Sequence, residues 1–264
     1  MAQEATAPPK RLGVEELPES GGVIALPERT ARHFRVLRLG VGSKVRLVDG
    51  RGNCADAVVL SVATDGIVCE LSQVIRAPIP IRRVVLVQAL PKGTKLETIV
   101  RMTTEIGVHA IHLAICERSV ARFTLAKSAP KMDRLRRIAL EACVQSEQAY
   151  APEVHPAVDL LEAARRAPDD AKRVVFWERS IQDLDDVLVS DSDRFSQAKK
   201  EVWAVVGPEG GLSSAEISAL SALGYEDIGL GPSLLRVETA APLIVGLLLD
   251  RLGCLRSDRS KNRG

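Results

Sequence analysis

Aromatic side chains are scarce in this 264-residue chain, which carries four Phe, two Trp and two Tyr. That scarcity argues against a sheet surface that stacks several bases, so any nucleic acid would be met mainly by charge and shape. Cysteine is also thin. Cys54, Cys69, Cys116, Cys143 and Cys254 are odd in number, form no C-x-x-C pair and sit in apolar contexts, which supports neither a disulfide framework nor a zinc site. The four His are scattered, and no metal is expected. No hydrophobic run approaches membrane-spanning length, since the longest is Leu243 to Leu249, and the start from Met1 to Leu12 lacks the apolar core of a signal peptide. The expectation is a soluble cytoplasmic protein with no membrane partner. Neither charge sign dominates: 36 Lys plus Arg stand against 34 Asp plus Glu, a net +2, so an RNA partner requires a local basic patch. What is present is ordinary globular composition, 46% hydrophobic and 27% charged, which excludes disorder of the whole and suffices for one large or two modest domains.

Two rhythms divide the chain. In residues 1–76, candidate strands Val23 to Leu26, Lys44 to Val48, Cys54 to Val62 and Ile67 to Val74 alternate with the turn pairs Asp49-Gly50 and Asp65-Gly66. One helix, Pro27 to Leu39, interrupts them, and a small β-barrel is expected. Pro78 and Pro80 mark the join. In residues 77–256 the β-branched run Val84 to Ala89 precedes a helix with Leu96, Ile99, Val100, Thr103 and Ile106 at 3, 4 and 7 spacing, stopped by Gly107. Strands Ala110 to Ile115, Arg173 to Trp177, Val202 to Val206 and Asp227 to Leu230 alternate with helices Lys131 to Gln148, Ser213 to Leu223 and Thr239 to Leu252. That order predicts an α/β unit with a parallel sheet. Residues 257–264 form a polar tail.

Two glycine-proline turns stand out. Gly207-Pro208-Glu209-Gly210-Gly211 lies between a buried-type strand and a helix announced by the capping box Ser213 with Glu216. Gly229-Leu230-Gly231-Pro232 follows the next strand, and Arg236 and Glu238 stand in the apolar run after it. Both turns are expected at the carboxyl ends of neighbouring strands, where they would face one crevice, the usual ligand position in an open sheet. The spacing matches neither a dinucleotide-binding fingerprint nor a phosphate-binding loop. Each turn is also compatible with plain chain reversal, and Arg236 with Glu238 with a structural ion pair. The last helix is apolar around its circumference, with Pro242 expected in its first turn, which predicts burial on all sides or a subunit interface. Basic groups recur at Arg29, Arg32, Arg35, Arg38, Lys44, Arg46 and Arg51, at Lys92, Lys95 and Arg101, and at Lys131, Arg134, Arg136 and Arg137, a segregation that suits phosphate contacts. His109 and His112 fall at a strand start and read as structural.

The stretches "RHFRVLRLGVGSKVRLVDGRG" (Arg32 to Gly52), "LVQALPKGTKLETIVRMTTEIGV" (Leu86 to Val108), "ERSV" (Glu117 to Val120), "VVGPEGGLSSAEI" (Val205 to Ile217) and "LGPSLLRVETAAP" (Leu230 to Pro242) resemble, in order and spacing, the RsmE family of SPOUT-class methyltransferases. The resemblance runs over about residues 11 to 253. It implies an α/β fold, a SPOUT-type parallel sheet with a C-terminal trefoil knot, preceded by a PUA-like RNA-binding β-barrel. It further implies an S-adenosyl-L-methionine-dependent enzyme, a homodimer, that methylates N3 of a uridine in the 16S rRNA of the small ribosomal subunit. By that resemblance Gly207, Glu209, Gly210, Leu230, Gly231, Leu235 and Thr239 line the methyl-donor pocket. Arg236 would stabilise charge on a uracil carbonyl, and Glu238 would orient Arg236 or accept the N3 proton. Arg32, Arg35, Arg38 and Lys92 are the expected RNA contacts. Three positions depart from the family's habit: Ser233 where an arginine is common, Glu147-Gln148 for a Gly-Arg pair, and Met102 for a lysine. They weaken the RNA side and leave the donor side intact, so a paralogue acting on another RNA and a non-catalytic RNA-binding or assembly protein stay open.

Overall fold

In the computed structural model, which describes residues 9–27, 30, 31, 34, 36–63, 66–119, 128–189 and 201–255, alternation along short strands builds the inner face of the first unit, residues 1–79 with 140–151. Its strands are β1 (Lys10–Gly13), β2 (Gly22–Leu26), β3 (Lys44–Val48), β4 (Asn53–Val62), β5 (Ile67–Leu71) and β6 (Ile75–Arg76). They run in the order β1-β3-β4-β5-β2, with β6 on β4. Only β1 and β3 pair parallel. Along β4, Ala55, Ala57 and Val59 are buried while Asp56, Val58 and Leu60 face out, the period of two expected of a half-buried sheet. Phe34 is fully buried in this core. Asp49 shapes the β3–β4 turn by accepting the amides of Arg51 (2.7 Å) and Asn53 (3.1 Å). The expected helix from Pro27 to Leu39 falls partly outside the described residues. Strand β1 carried no sequence signal because it is short and pairs with a strand far along the chain.

Residues 140–151 belong to this first unit although they follow the α/β pattern in sequence. There Glu147 holds a left-handed backbone, φ +60°, which a β-carbon disfavours. Its side chain is 71% exposed and offers Arg11 only a loose ion pair at 3.7 Å. The Arg11 guanidinium also donates to the backbone carbonyls of Glu147 and Gln148, and those bonds do not need the Glu147 side chain. Glu147→Gly is therefore expected to stabilise the protein by up to about 1 kcal/mol, measured as a rise in thermal midpoint. A fall would show that the carboxylate outweighs the backbone strain.

The second unit, residues 80–139 with 152–264, is a six-stranded sheet: β7 (Arg83–Ala89), β8 (Ala110–Ile115), β9 (Glu153–Asp159), β10 (Lys172–Phe176), β11 (Glu201–Val206) and β12 (Glu226–Ile228). The order is β12-β10-β11-β7-β8-β9 and every pairing is parallel. Helices α1 (Lys95–Ile106), α3 (Leu160–Ala164), α4 (Leu184–Val189), α5 (Ser214–Ala222), α6 (Val237–Arg251) and the start of α2 (Ser128–Gln145), up to residue 139, complete it. Val84, Leu86, Ala204 and Val206 pack with Leu96, Ile99 and Ile244 on one face of the sheet. Val85, Val87, Trp203 and Val205 pack with Leu160, Ala163, Ile217 and Leu220 on the other. Covering both faces explains why β7 and β11 read as continuous apolar runs. No helix among the described residues is long and apolar enough to cross a membrane.

Three expectations change here. Helix α6 begins at Val237, two residues before the expected start, so Pro242 is its sixth residue and lies beyond the first turn. The proline supplies no amide to the carbonyl of Glu238, one turn back. Of the two outcomes expected for the apolar circumference of α6, full burial within the chain is not met, since Leu243 is 43% exposed, which leaves the subunit interface. Finally, the strands that carry the two glycine-proline turns are not neighbours, because β10 lies between β11 and β12.

Candidate functional site

The insertion of β10 brings a third loop to the crevice. Chain leaving β10 (Phe176-Trp177-Glu178), β11 (Gly207 to Leu212) and β12 (Leu230 to Leu235) surrounds one cavity of about 370 Å³ at the carboxyl ends of the strands, floored by Val237, Ala240 and Ile244 of α6. Two glycines are required by backbone shape. Gly211 (φ +70°) closes the turn through its amide to the Pro208 carbonyl at 2.9 Å, and a β-carbon on it would stand 2.9 Å from Glu178 Oε1. Gly231 (φ +85°) turns the chain after β12.

The capping box is realised in full. Ser213 Oγ accepts the Glu216 amide (3.3 Å), and the Glu216 carboxylate accepts the Ser213 amide (2.8 Å). The other oxygen of Glu216 accepts the amide of Glu117 at 2.8 Å, and Arg118 Nη1 donates to the Gly210 carbonyl at 2.9 Å. The segment after β8 is thereby tied to the glycine turn, a role its sequence did not disclose. Cys116, at the head of that segment, is buried, and desolvation pushes its thiol up to about 12, so it is an inert neighbour.

Of the residues expected to line the donor pocket, Gly207, Glu209, Gly210, Leu230, Gly231 and Leu235 do line the cavity, and Thr239 does not. Glu209 spends its carboxylate elsewhere. It accepts the Lys92 amide (3.1 and 3.2 Å) and the Lys95 ammonium (3.0 Å), and Lys95 also reaches Glu238 Oε2 at 3.3 Å. One lysine at the start of α1 thus holds the turn after β11 and the first turn of α6. The Glu209 hydrogen bond, against burial, and then the Glu238 contact raise the Lys95 pKa. Burial pushes Glu209 up, yet Lys95 and the Lys92 amide bring its carboxyl below the usual value. Glu238 is lowered by its own amide and then by Lys95. The alternative of a structural Arg236–Glu238 ion pair is not what forms; Glu238 pairs with Lys95 instead.

Arg236 caps α6 with an extended backbone and no side-chain capping bond. It is exposed, has no ion pair among the described residues, and sits between two cavity-lining residues, Leu235 and Val237. Of the expected RNA contacts, Arg38 and Lys92 are exposed, whereas Arg32 and Arg35 lie outside the described residues. His112 is buried, its ring stacked on His155 (centroids 4.0 Å apart) and tilted against Trp203 (4.8 Å).

An RNA methyltransferase domain matches residues 77–249, and the RNA methyltransferase PUA domain matches residues 26–72. Ribosomal RNA small subunit methyltransferase E of Bacillus subtilis is 30% identical to this chain over 226 residues, covering 85% of this chain and 88% of its own length. The protein of the same name from Mycobacterium tuberculosis is 29% identical, covering 93% and 94%. Among solved structures, a methyltransferase of Legionella pneumophila in complex with S-adenosylmethionine aligns with a TM-score of 0.81 at 25% identity, covering 92% of this chain and 98% of that one. Ribosomal RNA small subunit methyltransferase E of Neisseria gonorrhoeae bound to S-adenosylmethionine shares the fold, with a TM-score of 0.81 at 23% identity and coverage of 92% and 97%.

Proposed function

This chain belongs to the ribosomal RNA small subunit methyltransferase E family, which joins an RNA methyltransferase domain to a PUA domain, and on that premise we propose that it transfers the methyl group of S-adenosylmethionine to N3 of a uridine in 16S rRNA. The observation that carries this reading is the convergence of the loops after β10, β11 and β12 on one cavity. Its wall suits a nucleoside cofactor. Leu212, Leu230 and Ile244 offer apolar surface, the glycine turn brings backbone groups close, and the lining residue Trp177 carries a buried indole N–H with no acceptor among the described residues. S-adenosylmethionine, when bound, supplies an electrophilic methyl on a sulfonium.

The chain's own part is placement and charge. Gly207, Gly210, Leu230, Gly231 and Leu235 hold the cofactor. Arg236, exposed beside the cavity and without an ion pair among the described residues, stabilises the negative charge that spreads onto a uracil carbonyl as N3 loses its proton to solvent; N3 then takes the methyl and S-adenosylhomocysteine leaves. Glu238, held by Lys95 with a lowered pKa, is a poor base and is assigned a positioning role. Arg32, Arg35, Arg38 and Lys92 contact RNA phosphates. The target base is reached only when unpaired or turned out of its stack. We extend the reading to a closed PUA-like barrel, a trefoil knot made where the three loops meet, and a homodimer in the cytoplasm that covers Leu243.

The test is methyl transfer from labelled S-adenosylmethionine to small subunits lacking the modification, followed by nucleoside mass spectrometry. Appearance of 3-methyluridine is expected, with Arg236→Ala lowering the rate by on the order of a hundredfold at unchanged unfolding midpoint. Label in another nucleoside, or none, would overturn the reading.

A further inference from the structure

We propose that Trp177 is a cofactor-recognising residue: its indole N–H donates a hydrogen bond to an acceptor atom of the bound cofactor. The inference rests on the S-adenosylmethionine reading above and adds to it a residue that neither the glycine turns nor the sequence pattern indicates.

The two tryptophans of the chain make the contrast. Trp203 is buried inside the sheet packing, and its Nε1 donates to Glu201 Oε1 at 3.0 Å. Trp177 Nε1 is equally shut off from solvent but finds no acceptor among the described residues. A buried donor left unpaired costs about 1–3 kcal/mol, and native proteins seldom tolerate one without a purpose. Trp177 is on the wall of the cavity, between the two glycine turns.

Its placement is fixed from three directions. The backbone amide donates to the Ile228 carbonyl of β12 at 2.9 Å, and the Trp177 carbonyl accepts the Ser180 amide at 3.1 Å. The Arg179 guanidinium lies 5.9 Å from the ring centroid, covering one face of the indole. A ring held this way needs only a small turn to bring Nε1 to a ligand, so little ordering cost offsets the hydrogen bond. The turn after β12 lines the same cavity, so a nucleoside bound there lies beside Trp177.

The experiment is calorimetric titration of S-adenosylhomocysteine into wild-type protein and into Trp177→Phe, Trp177→His and Trp203→Phe, with unfolding midpoints measured alongside. Trp177→Phe is expected to weaken binding about three- to tenfold. Trp177→His keeps a ring N–H and is expected to recover part of that loss, and Trp203→Phe to bind like wild type. In Trp203→Phe the sole remaining tryptophan is Trp177, and its emission is expected to change on titration. Equal loss in the Phe and His variants would reduce Trp177 to packing and overturn the proposal, as would unchanged affinity in both. Absence of binding by the wild type would instead remove the cofactor reading, and the proposal with it.

Discussion

Lys95→Met lowers kcat/KM for methyl transfer by at least about tenfold, and most of the loss is in cofactor affinity. Lys95 does not itself line the cavity. It holds Glu209 at 3.0 Å and Glu238 at 3.3 Å, and through them fixes the turn after β11 and the start of α6, both of which line the cavity. Without the ammonium, two carboxylates brought to the same point repel each other, and a displacement of an ångström in a positioning loop costs on the order of a hundredfold in rate. The pH dependence identifies the cause. In the wild type the lowered carboxyl pKa values stabilise the fold above the ordinary carboxylate range, and this is lost as pH falls through the folded values. The raised Lys95 pKa stabilises it below 10.5 and is lost above. Cofactor affinity governed by the clamp is therefore flat across neutral pH. In Lys95→Met the defect shrinks on acidification, as one carboxylate takes a proton. Adding Glu238→Gln to Lys95→Met removes one of the repelling charges and restores part of the affinity at pH 7.5. Titration of S-adenosylhomocysteine at several pH values checks each point, and a pH-independent defect without rescue would refute the clamp.

Acidification from pH 7 destabilises the second unit by about 1 kcal/mol per pH unit. Burial, then the neighbouring His155 and Arg166, pulls the pKa of His112 from 6.5 down to about 3. The sign follows directly. Above 6.5 the imidazole is neutral folded and unfolded. Between 6.5 and about 3 only the unfolded chain takes the proton, so stability present above 6.5 is lost progressively as pH falls. His109 and His155 are lowered as well, mainly by burial, and add to the slope. Both tryptophans belong to this unit, so urea unfolding followed by tryptophan emission at pH 7.5, 6.0 and 5.0 isolates it. His112→Phe keeps an aromatic ring between His155 and Trp203 and removes both the titration and a buried Nδ1 that has no partner among the described residues. It is expected to flatten the slope and to cost little stability at pH 7.5. An unchanged slope would place the acid sensitivity elsewhere.

Local signals carried much of the fold into the sequence. The 3, 4 and 7 spacing of α1 and its Gly107 stop, the capping box of α5, and the β-branched runs of β7 and β11 all record interactions within a few residues. What depends on chain-distant partners was illegible. Strand order is the clearest case: β10 separates β11 from β12, so reading the glycine turns as neighbours left out Trp177 and Glu178 from the wall between them. Lys95 belonged to a basic group that suggested phosphate contacts, and only the fold shows it spent on two carboxylates. Arg118 lay in a recognisable stretch, but its bond to Gly210 crosses 92 positions. The cavity-lining glycines were legible because a backbone requirement is written in the residue itself, whereas the earlier start of α6 and the pairing of Glu238 with Lys95 were not.

The central pairing of the sheet has a consequence for synthesis of the chain. β7 finds β8 soon after it emerges, but its other edge pairs Arg83 with Glu201 and runs to Gln88 with Val206. A nascent chain therefore exposes one apolar, unpaired edge of β7 for well over a hundred residues of elongation. That edge is open to wrong partners throughout, and a chaperone that shields extended apolar segments is the natural guardian of the interval. The cavity cannot exist before this closure, since the glycine turn follows β11 directly. Acquisition of cofactor binding during translation would thus mark the moment when the sheet is sealed.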